Sequence, residues 1–321
     1  MLREALLGVS HNASVKKLII GFPPTRELVS AFVAGESTAD AVRTTKALAQ
    51  SGRSVTIDHL GEDTTSAALA EQTVAAYLEL LDQLQRSGLA AGAEFSVKLS
   101  AIGQDLAENG AGIALTNAQR ICRAAYRAGA EVTIDMEDHT KTDATLTAVS
   151  ELRKEFPDVG VVLQAYLKRT EDDCRRLACE GSRVRLVKGA YSEPEAVAYT
   201  DRHEIDKAFV RCAKILINGD GYPMIASHDP RLTAIAETLA IKAARKLGDL
   251  EFQMLYGIGV PEQERLLHKG HRVRVYLPYG TDWYGYLVRR LAERPANLAL
   301  LVRAVAHQLL GADRRRELPS H

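Results

Sequence analysis

The chain has 321 residues, 46% of them hydrophobic and 26% charged, with 41 basic and 41 acidic side chains. That balance excludes the broad basic field that draws a protein to nucleic acid or anionic lipid, so any bound anion must be held by a local cluster. No stretch approaches the roughly 18 apolar residues of a spanning helix, and the length suits one α/β barrel.

In chain order, the opening MLREALLGVSHN has too short an apolar run for a secretory core and is too acidic for an organelle presequence. Residues 1–50 carry helical patterns without a strand pattern, and read as a helical segment packed on the barrel. Eight runs rich in β-branched residues then recur: SVTIDHL (54–60), EFSVKLS (94–100), EVTIDME (131–137), GVVLQAY (160–166), VRLVKGAY (184–191), PMIASHD (223–229), EFQMLYG (251–257) and RVRVYLP (272–278). Several are near-continuous apolar runs, the pattern of strands covered on both faces in a parallel sheet. Helical patterns fill the gaps. TSAALAEQTVAAYLELLDQLQRSG has apolar residues at helical spacing and a glycine stop, and TNAQRICRAAYRAGA opens on Thr116 as a cap and closes on Gly129. From Asp229-Pro230, a cap followed by proline in the first turn, a helix is predicted to run to Gly248, and PEQERLLHKG repeats the pattern over a shorter span.

Eight βα units predict an α/β fold of the (β/α)8 type, with residues 51–310 as the barrel and 311–321, GADRRRELPSH, as a charged tail. A doubly wound sheet is the competing architecture. Against its nucleotide-binding versions, no G-x-G-x-x-G follows the first strand and no G-x-x-x-x-G-K-[ST] occurs. The four cysteines, Cys122, Cys174, Cys179 and Cys212, form no C-x-x-C pair, and a chain of this length needs no disulfide staples, which suits a reduced intracellular protein.

Chemistry in such a barrel gathers at the C-terminal strand ends. These ends carry Lys98 on the second strand, Asp135-Met136-Glu137 on the third, Gln164 on the fourth, Arg185 and Lys188 on the fifth, Ser227-His228-Asp229 on the sixth and Tyr276 on the eighth. Each alone is compatible with a structural ion pair, Asp135 or Glu137 serving as counter-charge. Together they would bring ionisable groups to one mouth, where desolvation is costly unless they bind something. After the last strand, Tyr286, Arg289 and Arg290 stand at i, i+3 and i+4 and share a helix face. Two guanidiniums there offer forked donors suited to a carboxylate, with Glu293 placed to hold one of them. The alternative is a solvated face with an i, i+4 ion pair, but Tyr279, Trp283 and Tyr284 crowd the same helix start and favour a covered site.

The segments VKLS, TIDME, VVLQAY, RLVKGAY, ASHD, QMLYG and YLPYG…WYGYLVRRLAE, in this order over roughly residues 50–300, resemble the motifs of the proline dehydrogenase family. The resemblance implies a distorted, TIM-like (β/α)8 barrel with extra N-terminal helices and the last helix over the barrel mouth. Tyr276 would then rise from below while Arg289 and Arg290 come down from above. It implies non-covalently bound FAD and the oxidation of L-proline to 1-pyrroline-5-carboxylate, the first step of proline catabolism to glutamate, with electrons passed to a membrane quinone. The length resembles the monofunctional bacterial enzymes and no aldehyde dehydrogenase module follows, so a separate 1-pyrroline-5-carboxylate dehydrogenase is expected downstream. The implied location is cytoplasmic, with peripheral contact at the inner face of the cytoplasmic membrane.

By the same resemblance, Lys98, Arg289 and Arg290 hold the substrate carboxylate, and Tyr276, Tyr286 and Leu255 pack around its ring. Asp135 is the active-site acid that orders Tyr276 and the basic cluster. Arg185 lies by flavin N5, where negative charge develops as hydride arrives. Met136, Gln164, Val187, Lys188, Gly189, Ala190, Ser227 and His228 line FAD together with Arg185 and Leu255. Ser227 departs from the threonine associated with that position but keeps the hydroxyl. Three other readings stand beside this one. They are a Schiff-base aldolase on Lys98 or Lys188, a metal-dependent hydrolase using Asp135, Glu137, His139 and His228, and a catalytically silent flavin- or ligand-binding protein.

Overall fold

In the computed structural model, which describes residues 29–287, all eight predicted strands are present. They are β1 (Ser54–His59), β2 (Ala93–Val97), β3 (Glu131–Ile134), β4 (Gly160–Gln164), β5 (Arg183–Val187), β6 (Tyr222–Ala226), β7 (Glu251–Leu255) and β8 (Arg272–Tyr279). Each pairs parallel to the next in chain order, and β8 pairs with β1 to close the barrel. Most strands stop before their apolar runs do. Lys98, Asp135, Lys188 and Ser227 therefore sit just past the ladders, on the C-terminal rim.

The helices are α1 (Thr38–Gln50), α2 (Ala67–Arg86), α3 (Gly110–Ala128), α4 (Thr142–Arg153), α5 (Thr170–Leu177), α6 (Arg202–Asn218), α7 (Pro230–Lys242) and α8 (Val260–His268). Helices α2 to α8 each fill one gap between successive strands. Helix α1 packs against β8, β1 and α2, the place that a helix following β8 takes in a regular barrel. The chain after β8 is thereby freed to go elsewhere. Residues 283–287 are helical, and Trp283, Tyr284, Tyr286 and Leu287 pack with Phe32, Val33, Leu60 and Ile258. Leu60 follows β1 and Ile258 follows β7, both on the C-terminal rim, so this turn lies at the mouth. Arg289, Arg290, Glu293 and the segment 311–321 lie outside the described residues.

Two helix boundaries differ from the pattern reading. Helix α3 begins at Gly110, and Thr116 is not its cap: the Thr116 hydroxyl donates back to Gly112 O at 2.9 Å, as a threonine inside a helix does. Helix α7 starts as predicted, with the Asp229 carboxylate accepting from Arg231 N at 3.0 Å, but ends at Lys242 rather than Gly248. Ala244 there takes a positive φ of 54°, and the Arg245 guanidinium turns onto the carbonyls of Ile217 and Gly221 at 2.9 and 3.0 Å.

The strands alternate more strictly than their composition suggests. Val55, Ile57, Phe95, Val97, Ile134, Leu163, Leu186 and Phe252 are buried in one cluster with Val74, Tyr77, Leu80, Ile121 and Phe209 of the helices. Each such side chain contributes about 1.5–3 kcal/mol relative to exposure. The intervening positions are polar and equally buried: Thr56, Asp58, Glu94, Ser96, Thr133, Arg183, Arg185, Glu251, Gln253 and Arg274. Arg185 and Arg183 of β5 reach Glu94 of β2, and Arg274 of β8 reaches Glu131 of β3. Strands so far apart meet only across the barrel axis, so its interior holds charges where branched apolar side chains usually stack. Gly160 is part of this packing, since a Cβ there would lie 2.3 Å from the Thr133 hydroxyl, which donates to Glu94 at 2.5 Å.

Candidate active site

Six strands deliver one cluster to the mouth. Asp135, just after β3, accepts from Tyr276 Oη of β8 at 2.8 Å and from Arg185 Nη1 of β5 at 3.0 Å. Its backbone N–H is held by Val97 O at 2.9 Å, which fixes where the carboxylate can reach. Lys98 Nζ lies 3.9 Å from Asp135 Oδ2 and 3.0 Å from Asp58 Oδ2. Arg185 also donates to Ser96 Oγ at 2.8 Å and to Glu94 Oε2 at 2.6 Å, and its Cζ stands 5.5 Å from the centroid of the Tyr276 ring. Leu255 is the register partner of Tyr276 across β7 and β8, and it packs on the apolar cluster that contains Tyr286. The structure thus brings Lys98, Asp135, Arg185, Tyr276, Leu255 and Tyr286 to one end of the barrel.

The electrostatics of this cluster follow from burial and pairing. Burial works against the Lys98 ammonium, but the carboxylates of Asp58 and Asp135 outweigh it and hold its pKa well above that of a free lysine. Burial also opposes charge on Arg185, and Glu94 and Asp135 reverse that effect. Tyr276 is pushed far up, by burial and then by Asp135, so it remains a neutral phenol. Asp58 and Glu94 were not among the sequence candidates, although both are buried and each binds a residue that was. The available signal was period two: stepping back from Lys98 passes through Ser96 to Glu94, and Asp58 shares its face with Thr56.

A second row of polar groups occupies the β4 to β6 side. Gln164 is buried and donates through Nε2 to Glu137 O at 2.7 Å, with Val187 as its register partner. Lys188 Nζ lies 2.5 Å from Asp206 and 3.6 Å from Asp229, and Arg231 binds the same two carboxylates at 3.1 and 2.6 Å. Ser227 Oγ accepts from Asp229 N at 3.1 Å. His228 Nε2 accepts from Leu255 N at 2.9 Å, so the neutral ring carries its proton on Nδ1. Gly189 has φ +119°, and a Cβ there would be 2.3 Å from the Tyr166 ring, so both conformation and space demand glycine. Met136 is buried and Ala190 is exposed on the same rim.

The groups of the hydrolase reading are dispersed. Glu137 is bound by Ser100 N at 3.1 Å and faces Lys141 at 3.6 Å, while His139 pairs with Glu193. Among the described residues no three His, Cys, Asp or Glu side chains are placed to hold a metal ion. A cavity of about 690 Å³ lies at the opposite, N-terminal face, lined by Glu131, Arg183, Tyr222, Arg245 and Arg272. Its arginines are already spent on Glu131, the Tyr222 hydroxyl and backbone carbonyls, so its size does not make it the better site. No helix among the described residues is long and apolar enough to cross a membrane.

Comparison with known proteins identifies the family. A family model described as proline dehydrogenase matches residues 41–302. Proline dehydrogenase 1 of Bacillus subtilis (strain 168) is 38% identical over 305 residues, covering 95% of this chain and 99% of that one. The proline dehydrogenase of Deinococcus radiodurans is also 38% identical, covering 94% of this chain and 97% of that one. Among solved structures, proline utilization A (PutA) from Bdellovibrio bacteriovorus inactivated by N-propargylglycine matches with a TM-score of 0.78 and 29% identity. That match covers 84% of this chain and 33% of the other, so this chain spans about a third of that protein's length. With a family model over most of its length and relatives of this identity along nearly all of it, the chain belongs to the proline dehydrogenase family.

Proposed function

We propose that this chain oxidises L-proline to 1-pyrroline-5-carboxylate with FAD as its cofactor and a membrane quinone as the onward electron acceptor. The observation that carries the proposal is Asp135, one carboxylate that binds both the Tyr276 phenol and the Arg185 guanidinium, with the Lys98 ammonium beside it.

The donor chemistry of the rim suits FAD. A dinucleotide rich in acceptors and carrying two phosphates needs donors and cations along its length, and Gln164, Lys188, Ser227 and His228 stand in a row at the C-terminal ends of β4, β5 and β6. Gly189 leaves the backbone bare next to Tyr166. Arg185 stands between this row and the cluster around Asp135, at the place where a cofactor and a substrate held by the two groups would meet. When bound, FAD supplies an acceptor at N5 for a hydride from the ring carbon beside the proline nitrogen.

The chain's own residues have the remaining tasks. Lys98, together with Arg289 and Arg290, supplies cations for the substrate carboxylate, and Lys98 stays protonated because Asp58 and Asp135 face it. Leu255, Tyr276 and Tyr286 give the ring an apolar wall that excludes water. As the C–H bond breaks with its electron pair, the nitrogen gives up a proton and a C=N bond forms. Arg185, kept charged by Glu94 and Asp135, places a fixed cation where negative charge develops. Asp135 orients both Tyr276 and Arg185. A separate 1-pyrroline-5-carboxylate dehydrogenase would consume the product. Passing electrons to a membrane quinone would bring the chain into peripheral contact with the membrane.

The aldolase reading needs a neutral amine on Lys98 or Lys188; Lys98 is held as the ammonium, and Lys188 lies between the Asp206 and Asp229 carboxylates. The hydrolase reading needs Asp135, Glu137, His139 and His228 to converge, and each has its own separate partner. The test is to release and identify the chromophore, then add L-proline to the oxidised protein without oxygen. Bleaching of bound FAD is expected. A colourless protein that FAD does not reconstitute, or a flavin that stays oxidised, refutes the proposal.

A further inference from the structure

The position of Arg185 depends on a residue one layer beneath it. Charges of alternating sign run down the barrel axis from the mouth. Asp135 meets Arg185 at 3.0 Å, Arg185 meets Glu94 at 2.6 Å and Glu94 meets Arg183 at 2.9 Å. Arg183 binds Glu131 at 2.8 Å, and Arg274 joins Glu131 at 3.0 Å to Glu251 at 2.6 Å. Glu94 is the centre of this ladder. Its Oε1 accepts from Arg183 and from Thr133 at 2.5 Å, and its Oε2 accepts from Arg185 and from Thr56 at 2.5 Å. Four donors fill the four lone-pair sites of a carboxylate, so Glu94 cannot turn without losing a bond.

Arg185 is anchored unequally. Its Nη1 has two acceptors, Ser96 Oγ and Asp135 Oδ1, while Glu94 is the acceptor that the described residues offer Nη2. Its Nε is buried without a hydrogen-bond partner among the described residues. Without Glu94 the guanidinium plane would be free to swing about its Nη1 contacts. We propose that Glu94 is a positioning residue for Arg185, fixing the plane of its guanidinium toward the mouth and setting the electrostatic field there. This rests on the reading that Arg185 stands beside the FAD. Burial opposes the charge on Glu94, but Arg185, Arg274 and Arg183 overcome it and keep the group ionised. Glu94 therefore contributes a permanent negative charge behind Arg185.

The experiment compares flavin midpoint potentials, by spectroelectrochemical titration, in the wild type, Glu94→Gln and Arg185→Met. Glu94→Gln keeps an oxygen that accepts from Arg185 Nη2, so the guanidinium stays in place, but it removes a negative charge and should raise the potential by about 30 mV, a roughly tenfold change in the two-electron equilibrium. Arg185→Met removes a positive charge and should lower it. Opposite shifts are the expected result, because a residue that only supports folding would not give them. If Glu94→Gln does not fold with FAD bound, Glu94→Gln with Arg183→Met takes its place, since it removes one buried charge of each sign. A smaller upward shift is expected, because the lost negative charge is the nearer of the two and the lost positive charge cancels only part of its effect. An unchanged potential in a flavin-loaded Glu94 variant while Arg185→Met shifts overturns the role of Glu94. Unchanged potentials in both overturn the placement of Arg185 beside the flavin, and the proposal with it.

Discussion

Replacing Asp58 with asparagine keeps the shape of a buried residue at the mouth and removes its charge. Lys98 Nζ is 3.0 Å from Asp58 Oδ2, where two unit charges attract by ~5.5 kcal/mol at an effective dielectric constant of about 20. Desolvation of Asp58 offsets part of that, and the asparagine carbonyl still accepts from the ammonium. The expected net loss of stability is about 2–4 kcal/mol, below that of deleting a buried partner outright. The pH dependence has a definite sign. Lys98 is raised above its unfolded pKa of about 10.4, so its stabilisation is complete below that pH and is lost as pH rises through the folded pKa. In Asp58→Asn the burial effect is opposed by the carboxylates of Asp135 and Glu62 alone, so the folded pKa falls and the charge is lost at lower pH. Urea denaturation at neutral pH reads the stability, and KM for L-proline between pH 7 and 10 reads the charge. A lower denaturation midpoint is expected, with a KM that begins to climb at lower pH than in the wild type and a smaller change in kcat. A variant with the wild-type midpoint and a parallel KM profile would refute the pairing of Asp58 with a substrate-binding Lys98.

Tyr276→Ser should lower kcat/KM for L-proline, because the ring loses a wall, and raise the ratio of trans-4-hydroxy-L-proline to L-proline efficiency. A buried hydroxyl without a partner costs about 1–3 kcal/mol, and the serine leaves both room and a partner; an unchanged ratio in folded, flavin-loaded protein would show that Tyr276 does not touch the substrate ring. Replacing Arg289 or Arg290 with methionine should weaken L-proline binding by about 2–5 kcal/mol while FAD stays bound. Loss of FAD with unchanged affinity for L-proline would instead assign that helix to the cofactor.

Much of this molecule is legible in the linear chain. The eight strands are marked by β-branched runs, and the helices between them by Asp229-Pro230, by glycine stops and by apolar residues at helical spacing. The motifs at the strand ends also named Lys98, Asp135, Arg185 and Tyr276, which the fold brings into one cluster. Other features were not legible. Helix α3 starts earlier than Thr116 because a threonine inside a helix and one at its cap look alike in sequence. The slot beside β8 is filled by α1, a substitution that depends on how distant segments pack. Asp58 and Glu94 passed as ordinary polar residues inside strands. Their importance comes from partners 40 and 91 residues away, Lys98 and Arg185. Secondary structure is set by sterics and burial among near neighbours, so the chain itself displays it. Which buried charge meets which is decided only when β8 closes on β1, because closure sets β2 across the axis from β5 at a distance that one carboxylate and one guanidinium can span.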